Sequence, residues 1–317
     1  MLVVTPNLCF DRTLRIERFE PGAVARPYDV EVTIGGKGVN VCRAVADLGG
    51  HADLLGLIGD ADRASFATLA APEDLRLHAV TVPGAVRQAT IIIEDSGRAT
   101  VLNEPGPLVG EDDAARILDR ADALMAGRGL VACSGSLPPG MPTDLYGRIS
   151  RLARDRGAIS VVDAARTALE DALAAEPDVV TPNLHEVEGV LGGRVDEASH
   201  DDAPLEEVRD RAFASAVALL DRGARRALVT AGAHGAAFLA PGERLWVDAP
   251  RVEVANPIGA GDALVGGLLM ALEGGAAWPA AVRHAVAVAS AAVEHPVAGR
   301  LDAARVAVLA GRERVGS

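Results

Sequence analysis

Strand and helix patterns alternate along the chain from residue 130 to residue 294. Short apolar runs typical of buried strands are separated by stretches in which apolar residues recur at helical spacing. This alternation predicts an α/β fold with a mostly parallel sheet and helices on both faces, because parallel neighbours need a helical crossover between them. Ligands of such sheets bind at the carboxyl ends of the strands, so functional residues are expected there. The predicted strands of this region are 130–133, 158–163, 179–181 and 227–230.

One stretch before this region predicts a hairpin instead. The β-prone runs 86–94 and 99–103 flank a turn signal, DSGR, at 95–98. This hairpin is expected to join an earlier β-prone stretch as an inserted β element, a lid formed by about 12–34 and 86–104.

Composition and charge restrict the partners of the chain. It carries 31 Lys and Arg against 44 Asp and Glu, a net charge of −13 at pH 7, which disfavours coating a nucleic acid. No targeting segment and no apolar run of about 20 residues is evident, and the three cysteines form no CxxC pair. A cytoplasmic protein with no membrane or nucleic-acid partner is therefore expected. No linker divides residues 1–317, so a single domain is expected, with a polar loop at 192–204.

The segment 256–262 reads NPIGAGD and precedes an apolar helical stretch. The backbone N–H groups of Gly259, Ala260 and Gly261 can converge on an anion, and a helix amino terminus adds partial positive charge. Asp262 would then lie close enough to accept a proton from an attacking hydroxyl during phosphoryl transfer. The alternative is a tight strand–helix turn in which Asp262 only favours the first helical turn.

The segment 35–40 reads GGKGVN and holds the one Lys of the 31 cationic residues. Gly36 permits close approach of the backbone to a ligand, Lys37 supplies a compact cation, and Asn40 offers both a donor and an acceptor. The spacing and terminal Ser or Thr of a Walker A loop are absent. A glycine turn with a solvated Lys37 is the alternative, and GC-rich coding explains the excess of Arg.

Two further segments follow predicted strands. Residues 183–186 read NLHE, in which Glu186 can hold a hydrated Mg²⁺. Alternatively, Asn183 and Glu186 form a reciprocal helix cap that needs no ligand. Residues 230–235 read TAGAHG and form either a glycine loop against a nucleotide or an ordinary turn.

Taken together and in this order, these four segments resemble the ribokinase/PfkB family of carbohydrate kinases. GGKGVN is similar to the amino-terminal signature of the family and NPIGAGD to its carboxyl-terminal signature, D-T-x-G-A-G-D. NLHE matches its N-x-x-E motif, and TAGAHG its nucleotide loop. The resemblance implies a ribokinase-like three-layer sandwich with a mostly parallel central sheet and a small β-sheet lid, often dimerising through that lid. It also implies ATP and Mg²⁺ as cofactors.

The resemblance implies a role for each matching residue. Asp262 is expected to be the catalytic base, with Gly259, Ala260 and Gly261 forming the anion hole. The residues expected to bind the sugar phosphate are Asp11, Gly36, Lys37, Asn40, Arg87 and Arg26. Among these, Lys37 and Arg87 are expected to bind the phosphate already on the sugar. The residues expected around ATP are Asn183, Thr230, Gly232 and Gly235, with Glu186 organising Mg²⁺.

Finer motifs are similar to the hexose-phosphate branch of the family, the 1-phosphofructokinase and tagatose-6-phosphate kinase group. The motifs are 7–14 (NLCFDRTL), 103–107 (NEPGP) and 134–140 (SGSLPPG). They imply an ATP-dependent phosphotransferase that acts on a hydroxyl of a ketohexose phosphate, either fructose 1-phosphate or tagatose 6-phosphate. Leu8 and Phe10 depart from the branch pattern and are expected to reshape the sugar pocket. The alternatives are a kinase of an unphosphorylated sugar or nucleoside, and a non-catalytic sugar-phosphate sensor.

Overall fold

The computed structural model describes residues 1–73, 75–191 and 203–312. The loop predicted at 192–204 therefore lies, apart from its last two residues, outside the described residues. The strands are β1 Leu2–Thr5, β2 Cys9–Ile16, β3 Asp29–Gly35, β4 Asp53–Gly59, β5 Arg76–Val82, β6 Arg87–Glu94, β7 Ala99–Asn103, β8 Leu130–Ser134, β9 Ile159–Asp163, β10 Val179–Val180, β11 Ala227–Thr230, β12 Gly235–Ala240 and β13 Glu243–Asp248. The helices are α1 Lys37–Asp47, α2 Arg63–Ala70, α3 Glu111–Met125, α4 Leu145–Asp155, α5 Arg166–Leu173, α6 Leu184–Val190, α7 Leu205–Asp221, α8 Ala260–Glu273, α9 Trp278–Ala292 and α10 Ala303–Arg312.

The central sheet has nine strands in the order β13-β12-β11-β10-β9-β8-β1-β4-β5. All neighbours are parallel except the hairpin strands β12 and β13 at one edge. The chain builds outward from β1 first towards β5 and later towards β13. The strand order therefore reverses between β1 and β8, where open parallel sheets form their ligand crevice.

Helices cover both faces of the central sheet. Helices α3 to α7 pack on one face and share a core with Leu2 and Val4 of β1. Helices α1, α2, α8 and α9 pack on the other face, where Val3 points. Alternate residues of one strand are thus buried in different layers, which explains its uninterrupted apolar sequence. The expected three-layer α/β architecture is confirmed.

A second sheet has four strands in the order β3-β2-β6-β7. It contains the predicted hairpin, formed by β6 and β7. Asp11 pairs with Ala89 of β6, and Cys9 pairs with Gly35 and Arg87, so Asp11 and Arg87 share one face. β2 begins four residues after β1 ends, which puts the base of the small sheet beside the carboxyl ends of the central strands.

The sequence did not predict α2, β5 or α10. β5 is an edge strand with the sequence RLHAVTV, and only its later residues Val80 and Val82 are buried. An edge position leaves polar residues in the strand, so no continuous apolar run marks it. Among the described residues, no helix is long and apolar enough to span a bilayer.

Candidate active site

Polar side chains meet along the carboxyl edge of the central sheet. Thr230 ends β11, Asp163 ends β9 and Ser134 ends β8. Asn183 follows β10 and forms an isolated parallel bridge with Thr230. These polar residues therefore line this edge from Thr230 and Asn183, which were expected around the nucleotide, towards the base of the small sheet. Parallel α/β folds bind their ligands at this edge.

The first turn of α8 presents Asp262 and three backbone N–H groups. Gly259 is the N-cap with φ 84°, a left-handed conformation that favours glycine, and no side chain caps the helix. The N–H groups of Ala260, Gly261 and Asp262 have no intrahelical acceptor at this position. A Cβ added at Gly261 would meet no atom within 4 Å, so the space beside this turn is open. The turn can therefore accept an anion.

Asp262 is buried, with 5% of its surface exposed. Asn40, in the first turn of α1, donates from Nδ2 to Asp262 Oδ2 over 2.8 Å. Burial raises the pKa of Asp262 to about 7, against the opposing effects of the Lys37 charge and the Asn40 hydrogen bond. A carboxylate with a pKa near the working pH can accept a proton from a hydroxyl and later release it.

Lys37 lies between two carboxylates. Its Nζ is 3.1 Å from Asp163 Oδ2 and 3.6 Å from Glu186 Oε1. Burial alone would lower the pKa of Lys37, but Asp163 and Glu186 raise it above the ordinary value, so the ammonium stays charged. The sequence predicted Lys37 beside Arg87. The structure instead places its ammonium with the residue expected to organise Mg²⁺.

Asp163 was missed from the sequence. It is buried and also accepts a hydrogen bond from Ser134 Oγ at 3.1 Å. The available signal was its position as the last residue of a predicted buried strand, because carboxylates at the carboxyl ends of parallel strands point into the ligand crevice.

Asn183 and Glu186 form a reciprocal cap at the start of α6. Asn183 Oδ1 accepts from the Glu186 N–H at 2.8 Å, and Glu186 Oε2 accepts from the Asn183 N–H at 2.9 Å. The reciprocal helix cap that the sequence offered as the alternative is therefore present. It occupies one carboxylate oxygen, while Oε1 faces Lys37 and remains available to a ligand. Burial raises the pKa of Glu186, and the Lys37 charge opposes that shift.

The predicted nucleotide loop is a single 3₁₀ turn at Gly232–His234 between β11 and β12. Gly232 and Gly235 have φ values of 55° and 129°, backbone conformations that residues other than glycine rarely adopt. The turn therefore brings the backbone of residues 231–235 next to Thr230 and, through the bridge, next to Asn183.

Asp11 and Arg87, two of the residues expected to bind the sugar phosphate, lie on one face at the base of the small sheet. Arg87 Nε donates to the Asn7 carbonyl oxygen at 3.2 Å, and Nη1 donates to Asn103 Oδ1 at 3.3 Å. Asp11 Oδ1 accepts from the Cys9 thiol at 3.2 Å, and burial raises the pKa of the Asp11 carboxyl. A Cβ at Gly35 would stand 2.2 Å from the Asp11 carboxylate, so this glycine makes room for that side chain.

Three residues named from the sequence lie away from the charged groups described above. Leu8 is buried against Gly56, and Phe10 points away from Asp11 to pack on Phe66 at 5.6 Å. Arg26 is exposed in the connection between β2 and β3. At about 3.3 Å per strand residue, that end of the sheet is roughly 20 Å from Cys9, so Arg26 does not approach the site of its own chain.

A buried carboxylate beside an uncapped helix amino terminus, with a charged Lys held by two further carboxylates nearby, can accept a proton and bind an anion at one place. The chain belongs to the pfkB family of carbohydrate kinases, whose model matches residues 2–303. It is therefore a phosphotransferase with an alcohol acceptor.

Curated relatives and solved structures agree with this family. The chain is 33% identical over 276 residues to a 1-phosphofructokinase of Xanthomonas campestris, covering 86% of this chain and 83% of the relative. It is 34% identical over 273 residues to a 1-phosphofructokinase of Rhodobacter capsulatus, covering 84% and 82%. The crystal structure of phosphofructokinase-2 from Escherichia coli in complex with potassium superposes with a TM-score of 0.86 at 25% identity, over 98% of each chain. The expected ribokinase-like fold is thereby confirmed.

Proposed function

We propose that this protein transfers the γ-phosphate of ATP to a hydroxyl of a ketohexose phosphate, with fructose 1-phosphate as the first candidate acceptor. The proposal rests on the separate positions of two charged groups, the Asp262 carboxylate and the Arg87 guanidinium. Asp262 stands at the open amino terminus of α8, and Arg87 donates hydrogen bonds to two neutral oxygen acceptors. Asn40 contacts Asp262, and Arg87 lies at the base of the small sheet.

Arg87 supports an acceptor that already carries phosphate. Among the described residues it forms no ion pair, whereas many Arg side chains in this acidic protein do. A partly buried guanidinium with two neutral partners retains a full charge for an anion, and its planar fork suits a phosphate. Asp11, on the same face of the small sheet, can accept hydrogen bonds from sugar hydroxyls. Gly36 and Asn40 complete the sugar side.

Asp262 acts as the general base. Asn40 holds one carboxylate oxygen, and the other is free to take the proton from the attacking hydroxyl as that oxygen approaches the phosphorus. The N–H groups at Gly259, Ala260 and Gly261 stabilise negative charge on the phosphoryl oxygens in transfer. The leaving group is ADP.

Lys37 belongs to the donor side of the reaction in this proposal. Its ammonium is held by Asp163 and Glu186, within electrostatic range of Asp262. That position suits contact with the phosphoryl group during transfer better than contact with a sugar phosphate bound at Arg87. The solitary Lys thus serves as a point charge on a long stem rather than as a fork.

Glu186 fits a Mg²⁺ ion that is held mainly by phosphates. Among the described residues, no three His, Cys, Asp or Glu side chains are grouped to bind a metal by themselves. Mg²⁺ in kinase sites is usually bound by one or two carboxylates, retained waters and substrate phosphates, and Glu186 Oε1 offers one such oxygen. When bound, the ion neutralises charge on the phosphates. Asn183, Thr230, Gly232 and Gly235 would line the nucleotide beside it.

The small sheet is proposed to act as a lid and as the contact between two copies of the chain. Val32, Arg12, Thr90 and Leu102 form one rung across its four strands, on the face opposite Asp11. Val32 is 40% exposed and Leu102 57% exposed. A second copy seated on this face would bury apolar surface that a monomer leaves in water.

The proposed reaction takes place in the cytoplasm. The described cysteines Cys9, Cys42 and Cys133 are free thiols and all are buried, and ATP is a cytoplasmic metabolite.

A coupled assay of ADP release tests the function. Wild-type protein is given fructose 1-phosphate, tagatose 6-phosphate, fructose and a nucleoside in turn. The proposal expects turnover of one of the phosphorylated sugars, and expects Arg87→Gln to raise KM for that sugar at least tenfold with an unchanged KM for ATP. Equal activity on fructose and its phosphate would favour an unphosphorylated acceptor. Sugar-phosphate binding without ADP release from any compound would favour a sensor.

A further inference from the structure

Arg43 is a buried arginine in α1, one turn after Asn40. Only 2% of its side chain is exposed. All five N–H donors of its guanidinium have an acceptor. Nε and Nη2 donate to the two oxygens of Glu73 at 2.5 and 2.6 Å. Nη1 donates to Asn40 Oδ1 at 3.0 Å and to the Ala298 carbonyl at 3.4 Å, and Nη2 also donates to the Ile34 carbonyl at 3.0 Å.

These acceptors come from four separate parts of the chain. Ile34 lies at the end of β3 in the small sheet, Asn40 in α1, Glu73 after α2, and Ala298 after α9. Glu73 supplies the opposite charge that a buried guanidinium requires. The ion pair with Glu73 neutralises the guanidinium and holds it in place. Its remaining donors are directed at Ile34, Asn40 and Ala298.

The contact with Asn40 determines how that amide is oriented. Its Oδ1 accepts from Arg43, so its Nδ2 is the atom left to face Asp262 Oδ2 at 2.8 Å. A carboxamide turned by half a rotation would place its oxygen against the Asp262 carboxylate, where two acceptors repel. Arg43 opposes that rotation because the guanidinium would then face an NH₂ group. The orientation of Asp262 therefore depends on a chain of two hydrogen bonds.

We propose that Arg43 is a positioning residue for the reaction: through Asn40 it holds the Asp262 carboxylate with one oxygen bound and the other free for the attacking hydroxyl. This role rests on the proposed function of Asp262 as the base. Arg43 is too deeply buried to act on the substrate directly, and its effect is expected on the chemical step rather than on binding.

The first test compares two substitutions at Arg43 with a control elsewhere. Arg43→Lys retains a charge opposite Glu73 but cannot hold Asn40, Ile34 and Ala298 together, since an ammonium lacks the planar fork. Arg43→Gln removes the charge as well. The control is Arg128→Gln, which removes an ion pair with Asp53 at the opposite, amino edge of the central sheet.

Activity is measured at saturating sugar phosphate and ATP, per folded protein as determined by ATP binding. The proposal expects kcat of Arg43→Lys to fall about 10- to 100-fold, as for other misplaced catalytic groups, with KM for ATP within about twofold of wild type. The control should retain wild-type kcat. A merely structural role would lower the melting temperature and the folded fraction but leave kcat per folded site unchanged, and that result would overturn the proposal. If Arg43→Gln does not fold, Arg43→Lys carries the comparison alone.

A double-mutant cycle tests the route through Asn40. If Arg43 acts through this amide, Arg43→Lys should change kcat by less than threefold once Asn40→Ala is present, because the two losses remove the same interaction. Additive losses would overturn the proposed route. Asp262→Asn separates the two hypotheses: an active Asp262→Asn protein refutes the base itself, whereas an inactive one together with a fully active Arg43→Lys protein refutes only the positioning role.

Discussion

Replacing Asp262 by Asn should make the protein more stable while nearly abolishing its activity. Asn has almost the same shape and can still accept a hydrogen bond from Asn40 Nδ2, so the fold should be retained. The variant cannot take a proton from the attacking hydroxyl. Loss of a general base typically costs about 10²- to 10⁴-fold in rate, and a loss of this size in kcat is expected, with ATP and sugar-phosphate binding preserved.

The gain in stability follows from the pKa of Asp262. Folding raises it from 3.8 to about 7 because the charged form is buried. A carboxyl group with a raised folded pKa stabilises the native state fully below its unfolded pKa, and this contribution is lost as pH rises to the folded pKa. With about 1.4 kcal/mol per pKa unit, the advantage of Asp262→Asn over wild type should grow by about 2–3 kcal/mol between pH 5 and pH 8.

The assay is denaturant unfolding of both proteins at pH 5, 6, 7 and 8, followed by fluorescence of Trp246 and Trp278. The change in the difference between the two proteins is the quantity that matters, since any constant effect of the amide cancels. A difference that stays flat from pH 5 to pH 8 would refute the argument from the buried charge. Near wild-type turnover of Asp262→Asn would refute the assignment of Asp262 as the general base.

The remaining predictions concern Lys37, Glu186 and the small sheet. Lys37→Met should lower kcat about 100-fold or more while leaving KM for sugar phosphate nearly unchanged. It should also shift the acidic limb of the pH–rate profile to higher pH, since the Lys37 charge holds down the pKa of Asp262. A rise mainly in KM for sugar phosphate would instead indicate that Lys37 binds the sugar phosphate. Glu186→Gln keeps the helix cap, because Gln can also accept from the Asn183 N–H, so its melting temperature should hold while the Mg²⁺ concentration for half-maximal activity rises about tenfold; an unchanged Mg²⁺ titration contradicts that role. Val32→Asp should convert a dimer to a monomer on gel filtration, whereas Val308→Asp, at a position that is 50% exposed on α10, should not.

Local patterns carried most of the fold. The central strands are recognisable as continuous apolar runs because both faces of these strands are covered. Their alternation with helices then leaves few possible topologies. The turn at 95–98 identified the hairpin of the small sheet because its residues favour that conformation locally. The edge strand β5 was missed for the complementary reason, since partial exposure removes the apolar signal.

The sequence also predicted which backbone segments bear the chemistry, since glycine-rich turns before helices are local features. It could not decide what each side chain meets there. Lys37 was expected beside Arg87 and lies between Asp163 and Glu186, which are 126 and 149 positions further along the chain. Asn40 meets Asp262 across 222 positions. Such pairings depend on how the layers pack against one another, and no periodicity within a segment encodes them. Tertiary structure alone therefore decided the pKa of Asp262, the partners of the single lysine and the link from Arg43 to Asp262.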